Sequence, residues 1–453
     1  MMRGMPRITL LASAALLTFG IWSLALLDPD EGRYAASSRE MLRGGDLIVP
    51  TFNGEPRLNK PPLIYWLQAA SFRLLGVNET AARLPSLVAA LGTLALTGWW
   101  ARRRLDASSG AVSVMVLATL ALFFACARLA ITDMLLALFV TATLILWHEA
   151  VEASEPDARR RLAFAASLSC GLAVLAKGPV GFALPSLVIL SSRGLRVGPS
   201  GRMVTLRGVG MAIAGQALVV GPWLAGVTGR VGYGEILEIL RREAYERAAW
   251  GLDHPRPFYY LLLTFWVTFL PWSLAAPHAL IQGIRRGQRF LVVWFLVVVI
   301  FFTLISDKND AYLLPAAPPL ALLIARALPR RLIQVAACLM AVCLLAATQV
   351  LTPRLSRDRS LEQAVASADL VGRAPDILVS YKLYKPSLVF YSGREVRWIR
   401  TGADLRRLVS QESAGRSVAV VLEERRLGKE RPGGFEIIGR QPGYVMVFRG
   451  RQP

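Results

Sequence analysis

The sequence predicts a polytopic α-helical membrane protein of about eleven spans that ends in a small external α/β domain. Three observations carry this. Of the 453 residues 54% are hydrophobic and only 18% charged, and long runs lack any charge. Arginine clusters recur in alternate loops. Beyond residue 353 the composition changes to short β-like runs.

About 20 apolar residues are needed for a helix to cross roughly 30 Å of hydrocarbon. Runs 8–27, 84–101, 107–127, 208–229, 257–284, 290–306 and 332–353 contain no Asp, Glu, Lys or Arg, so each is read as one span. Four shorter runs, following Asp133 and at 162–176, 178–192 and 311–325, span if flanking charges snorkel outward. The arginines of 3–7, 102–104, 159–161, 193–207, 285–289 and 330–331 fall in every second loop. The positive-inside rule makes those loops cytoplasmic, with the N-terminus inside and the segment after residue 353 outside. The first span is read as a retained signal anchor, because no small-residue cleavage site follows it.

The predicted organisation is a membrane domain at 1–353, with an external loop at 28–83, and an external domain at 354–453. Within the loop, 31–42 and 61–75 have helical character but too much charge or too little length to span, so they are expected along the interface, with Tyr34, Phe52, Tyr65 and Trp66 at headgroup depth. In the tail, 377–381, 396–399, 418–422, 435–438 and 444–448 read as strands, and 361–371 and 403–411 as helices. All four cysteines lie in apolar runs, which excludes a disulfide framework or CxxC metal site. The net charge of 52 − 31 = +21 fits membrane orientation and phosphate-bearing or anionic lipid partners. A nucleic-acid partner is not expected.

The residues with chemistry gather on the predicted external side. Asp30 and Glu31 open an interfacial helix, where acids stabilise exposed helix N–H groups or, alternatively, face a substrate. Asp133 follows Thr132 at an external turn and carries the same two readings. Only six of the 52 basic residues are lysine, and the three within 1–353, Lys60, Lys177 and Lys308, all fall outside. A compact ammonium retained there suggests a point contact with phosphate, against the plainer reading of interface anchors. The external stretch 229–257 holds Glu243, Glu246, Arg247, Asp253 and His254, which also suit a solvated helix; one histidine does not define a metal site.

The segments DPDEGRYAASSREML, FNGEPRLNKPPLIYWLQAASFRLLGVNETAARLPS, RLAITDMLL, LAKGPVG, HPRPFYYLL and SDKNDAYLLPAAPPLALL, in that order, closely resemble bacterial membrane glycosyltransferases of the GT-C class. The likeness is to the ArnT-type aminoarabinose transferases, kin of the protein O-mannosyltransferases, and covers about 27–325. The tail segment YKLYKPSLVFYSGREV is similar to their external domain. The resemblance implies an inner-membrane enzyme that moves a sugar from a polyprenyl-phosphate carrier to an external glycolipid, such as lipid A, or to a protein. It implies Asp30 as the acid of the reaction centre, Asp133 as a second acid, and Arg33, Lys60 and Arg247 at the donor phosphate, where the charge and external side of Lys308 add a fourth cation. Glu31, Lys177 and His254 are further candidates. A divalent metal is left open, because relatives commonly have Glu before the lysine and Asn59 stands here, a neutral amide that is a poorer zinc ligand. The alternative from another class is a transporter or lipid flippase. It would need mid-membrane charges, repeated halves and broken helices, and the sequence shows none of these.

Overall fold

The computed structural model describes residues 5–194, 206–246, 255–413, 415–430 and 433–451. Its contacts divide the chain into two compact units, each assembled from separated segments. The first comprises Met1–Phe19, Leu58–Ile64 and Arg83–Ala346, and the second Gly20–Arg57, Tyr65–Ala82 and Ala347–Pro453.

Helices dominate the first unit because backbone groups in hydrocarbon must be satisfied within their own segment. Among the described residues, four helices are long and apolar enough to cross a membrane by length and composition: Glu79–Arg104, Asp133–Glu152, Ala212–Val231 and Arg330–Arg359. Two bent pairs raise the number to six if each is one span. Shorter apolar helices cover Arg7–Thr18, Val180–Arg193 and Arg289–Leu304. The chain is therefore a polytopic helical membrane protein.

The bent pairs correct the expectation of unbroken helices. Run 107–127 divides into Ser109–Ala118 and Ala121–Ala127, set at 72°, and run 257–284 into Tyr260–Thr268 and Trp272–Arg285, set at 110°. Pro271 at the second break lacks an N–H and its ring obstructs the preceding turn. At the first, the Thr119 hydroxyl donates to the Met115 carbonyl at 2.6 Å. The breaks then satisfy one another: Ala121 N donates to the Leu270 carbonyl at 3.0 Å and Trp272 Nε1 to Thr119 Oγ1 at 3.1 Å. Hydropathy registers apolar length and is blind to this exchange.

Helices Pro156–Lys177 and Val180–Gly194 form a hairpin turned at Gly178, whose φ is +74°. Gly181 lets the two backbones approach, since a Cβ there would stand 2.2 Å from the Ala173 carbonyl carbon.

In the second unit the loop supplies helix Asp30–Gly44 and most of Leu63–Leu75. The tail supplies a five-stranded sheet ordered Val396–Ile399, Ile377–Tyr381, Val418–Glu423, Tyr444–Arg449, Glu436–Gln441. The first three strands pair in parallel and the last two antiparallel. Ile377–Tyr381 is buried throughout and Val418–Glu423 nearly so, which is why both read as continuous apolar runs without alternation. Val379, Val420 and Val447 lie at the centre of this core. The predicted helix 361–371 is two short helices, Glu362–Ser367 and Leu370–Arg373, separated where Asp369 adopts φ +46°.

The hairpin supplies a test of the packing. Gly181→Leu should destabilise the protein by about 1–3 kcal/mol, the usual cost of overpacking. A lowered unfolding temperature in detergent checks it, with Ala183→Leu on the same helix as the control.

Candidate functional site

In the second unit the DPDEG run combines anchoring with an available acid. Asp28 Oδ1 and Oδ2 accept from Ser387 N and Oγ, each at 2.6 Å, and Lys385 Nζ lies 4.0 Å away. Gly32 fits against the same point, because a Cβ there would meet Ser387 N at 2.6 Å. Glu31 is 2% exposed and accepts from Leu27 N at 3.0 Å, a structural use of its carboxylate. Asp30 differs. No side chain caps helix Asp30–Gly44, so the capping reading of Asp30 has no hydrogen bond behind it. Its carboxylate is 40% exposed and accepts from Arg33 Nη2 at 2.5 Å.

Three of the four aromatics expected at headgroup depth gather around one cation. The Arg57 guanidinium stacks over Tyr34 at 5.6 Å and Phe52 at 5.9 Å and donates to Tyr65 Oη at 3.1 Å, with both tyrosines buried. Rings that enclose a cation offset part of its desolvation, which draws them into the unit. Trp66 Nε1 donates to the Leu47 carbonyl at 2.7 Å.

The first unit holds the predicted lysines. Lys60 Nζ pairs with Glu243 Oε2 at 3.2 Å, the two side chains 17% and 15% exposed. The side-chain oxygen of neighbouring Asn59 is buried without a partner. Lys177 Nζ donates to Asp133 Oδ1 in a pair about 10% exposed, and lies 4.1 Å from the Tyr312 ring centroid. Tyr312 Oη donates to Asp307 Oδ2 at 3.3 Å, and Asp307 is fully buried. Asp133 makes no cap hydrogen bond either, since no side chain caps its helix. Lys308 donates to the Ile305 carbonyl, and burial pulls its ammonium below the ordinary lysine range while Asp307 acts in the other direction.

Among the candidates, then, Asp30 meets Arg33 and Asp133 meets Lys177. Arg247 and His254 lie outside the described residues. Among the described residues no group of three or more His, Cys, Asp or Glu side chains has metal-holding geometry. Sequence reasoning passed over Asp28, Arg57, Asp307 and Tyr312. The proline and glycine flanking the acids of DPDEG were the available signal for Asp28, but nothing in the linear order points to Ser387.

The family described as dolichyl-phosphate-mannose-protein mannosyltransferase matches residues 10–195. An uncharacterized protein of Aquifex aeolicus is 32% identical over 301 residues, which is 66% of this chain and 58% of that protein. The undecaprenyl phosphate-alpha-4-amino-4-deoxy-L-arabinose arabinosyl transferase of Pseudomonas aeruginosa is 33% identical over 337 residues, 71% of this chain and 60% of that one. The chain thus spans under two thirds of the length of these relatives. The crystal structure of ArnT from Cupriavidus metallidurans bound to undecaprenyl phosphate superposes with a TM-score of 0.80 at 20% identity, over 98% of this chain and 99% of that one. The oligosaccharyltransferase of Archaeoglobus fulgidus in its apo form gives 0.57 at 12% identity, over 94% and 70%.

The Asp28 anchor has a pH signature. Burial raises its carboxyl from 3.8 to about 6, against the lowering effect of the Ser387 hydrogen bonds and Lys385. A raised carboxyl favours folding while protonated, so its contribution is complete below about 3.8 and is lost as pH rises through about 6. The full swing is ~3 kcal/mol. Asp28→Asn should flatten the dependence of unfolding temperature on pH between 4 and 7, measured on purified protein beside the unmodified chain.

Proposed function

From a chain that carries the fold of the GT-C membrane glycosyltransferases, we propose a sugar transferase that takes its donor from a polyprenyl-phosphate carrier and passes it to an external glycolipid or protein. The observation that carries the reading is the acid at Asp30: exposed, oriented by Arg33 and not spent on a helix cap. The relatives act on undecaprenyl-phosphate-linked aminoarabinose by name, which supports the lipid-linked donor class.

In this reading the acceptor hydroxyl attacks the anomeric carbon, the carbon–oxygen bond to the lipid phosphate breaks, and the proton passes to Asp30. Should the acceptor be a phosphate already ionised, the Asp30 carboxylate instead stabilises positive charge developing on the sugar. The departing phosphate gains negative charge, which Lys60, Arg247 and Lys308 are assigned to stabilise. Glu243 holds Lys60 in place until the donor competes for it. Asp133 sets Lys177 against Tyr312 and stands as the second acid. Within an inner membrane we assign eleven spans, a cytoplasmic N-terminus, a transferase domain at 1–353 and a periplasmic domain at 354–453, on the alternating arginine loops.

Asp30→Asn keeps the volume and removes the charge and basicity. Transfer from a polyprenyl-phosphate donor should fall by about 10² or more at unchanged thermal stability, the usual worth of a general base or electrostatic stabiliser. Near-full transfer by this variant would transfer the assignment to Asp133.

Lys60→Ala should weaken donor use roughly ten- to a hundredfold, the equivalent of one charge-assisted contact worth ~1.5–3 kcal/mol. Glu243→Gln separates the pair from the contact: it removes the ion pair, keeps the ammonium, and should retain most donor affinity. Equal losses in both variants would reduce Lys60 to a structural partner of Glu243.

A further inference from the structure

The second unit holds a cavity of about 590 Å³ with no part in the chemistry above. It lies at the end of the short helix Ser387–Ser392, beside the start of helix Glu79–Arg104, and three arginines line it: Arg39, Arg43 and Arg394. Arg39 is 5% exposed. Its two terminal nitrogens donate to the carbonyls of Val389 and Phe390, which fixes the guanidinium, while its Nε is buried and without a partner. Arg43 Nη1 donates to the Gly393 carbonyl at 3.2 Å, and Arg394 Nη1 to the Pro375 carbonyl at 3.0 Å.

Two of these cations converge. A Cβ built on Gly393 would stand 3.3 Å from Arg39 Nη1 and 3.7 Å from Arg43 Nη1, so both guanidinium groups crowd one point. Among the described residues no carboxylate forms an ion pair with Arg39, Arg43 or Arg394. Glu79 is the acid on the cavity wall. Three positive charges against one negative, with like charges adjacent, leave a net demand for an anion. Fixed guanidinium forks meet the oxygens of a phosphate in pairs.

Beside the cavity wall the chain is apolar and exposed: Leu74, Leu75 and Val77 are 80%, 53% and 44% exposed immediately before Asn78. In a membrane protein this juxtaposition of an anion-seeking cavity and bare apolar side chains matches an amphipathic ligand. We propose that the Arg39–Arg43–Arg394 cavity binds the phosphate-bearing headgroup of a lipid, whose chains lie along the 74–77 segment. Two lipids supply that chemistry, a phosphorylated glycolipid that serves as acceptor and a bulk anionic phospholipid. The site stands whether or not the chain transfers sugar.

The test uses the full chain purified in a non-ionic detergent, with bound lipid counted by native mass spectrometry. The probes are phosphatidic acid, a monophosphorylated disaccharide lipid and, as the phosphate-free control, diacylglycerol of equal chain length. Arg39 is left intact because it ties helix Ser387–Ser392, and the variant is Arg43→Gln with Arg394→Gln. Both phosphate-bearing probes should bind the unmodified protein, and the double variant should bind them at least roughly tenfold more weakly with unchanged thermal unfolding. Preference for the disaccharide lipid would identify the acceptor, and preference for phosphatidic acid a bulk lipid; either result supports the site. Binding of diacylglycerol equal to that of the phosphate-bearing probes, or full binding by a folded double variant, would overturn it. Added salt should also weaken binding to the unmodified protein, and insensitivity to salt would overturn the proposal without recourse to a variant.

Discussion

A chain this apolar has little room for a bare charge, because an ion removed from water without a partner costs several kcal/mol. The three lysines of the first unit are accordingly held in pairs or on a carbonyl: Lys60 on Glu243, Lys177 on Asp133 and beside the Tyr312 ring, Lys308 on the Ile305 carbonyl. Such pairing does more than neutralise. It fixes each ammonium at a defined point. In the second unit Arg33 does the converse for Asp30, orienting a carboxylate that stays accessible.

The two bent helix pairs are the feature a transporter would share. In transporters the unwound segments line an ion or substrate path with unsatisfied backbone groups. Here Ala121 and Trp272 donate across the breaks to Leu270 and Thr119. These groups are spent on each other, and the bends act as joints of a fixed scaffold.

Much was legible wherever a signal is local. Strands 377–381 and 396–399 and the helix at 31–42 emerge at nearly their predicted bounds, because apolar runs and acidic helix starts act within a few residues. The motifs of the first loop carry the family resemblance for a similar reason, being contiguous. What escaped is long-range. Lys60 finds Glu243 at a separation of 183 residues and Asp28 finds Ser387 at 359, and no spacing rule connects them. The aromatics around Arg57 were read for depth because composition shows that a ring is amphipathic, not that a cation waits beneath it. The bends at Thr119 and Pro271 escaped because both runs remain apolar throughout.

The central claim is that a sugar leaves a lipid phosphate and is joined to an acceptor. It is tested most directly by mass balance in liposomes containing the purified protein, a polyprenyl-phosphate-linked sugar labelled in both parts, and a glycolipid acceptor. The account predicts free polyprenyl phosphate and glycosylated acceptor appearing in equal amounts, with no use of a nucleotide sugar. Movement of the intact donor between leaflets, with no polyprenyl phosphate released, would contradict it and restore the flippase.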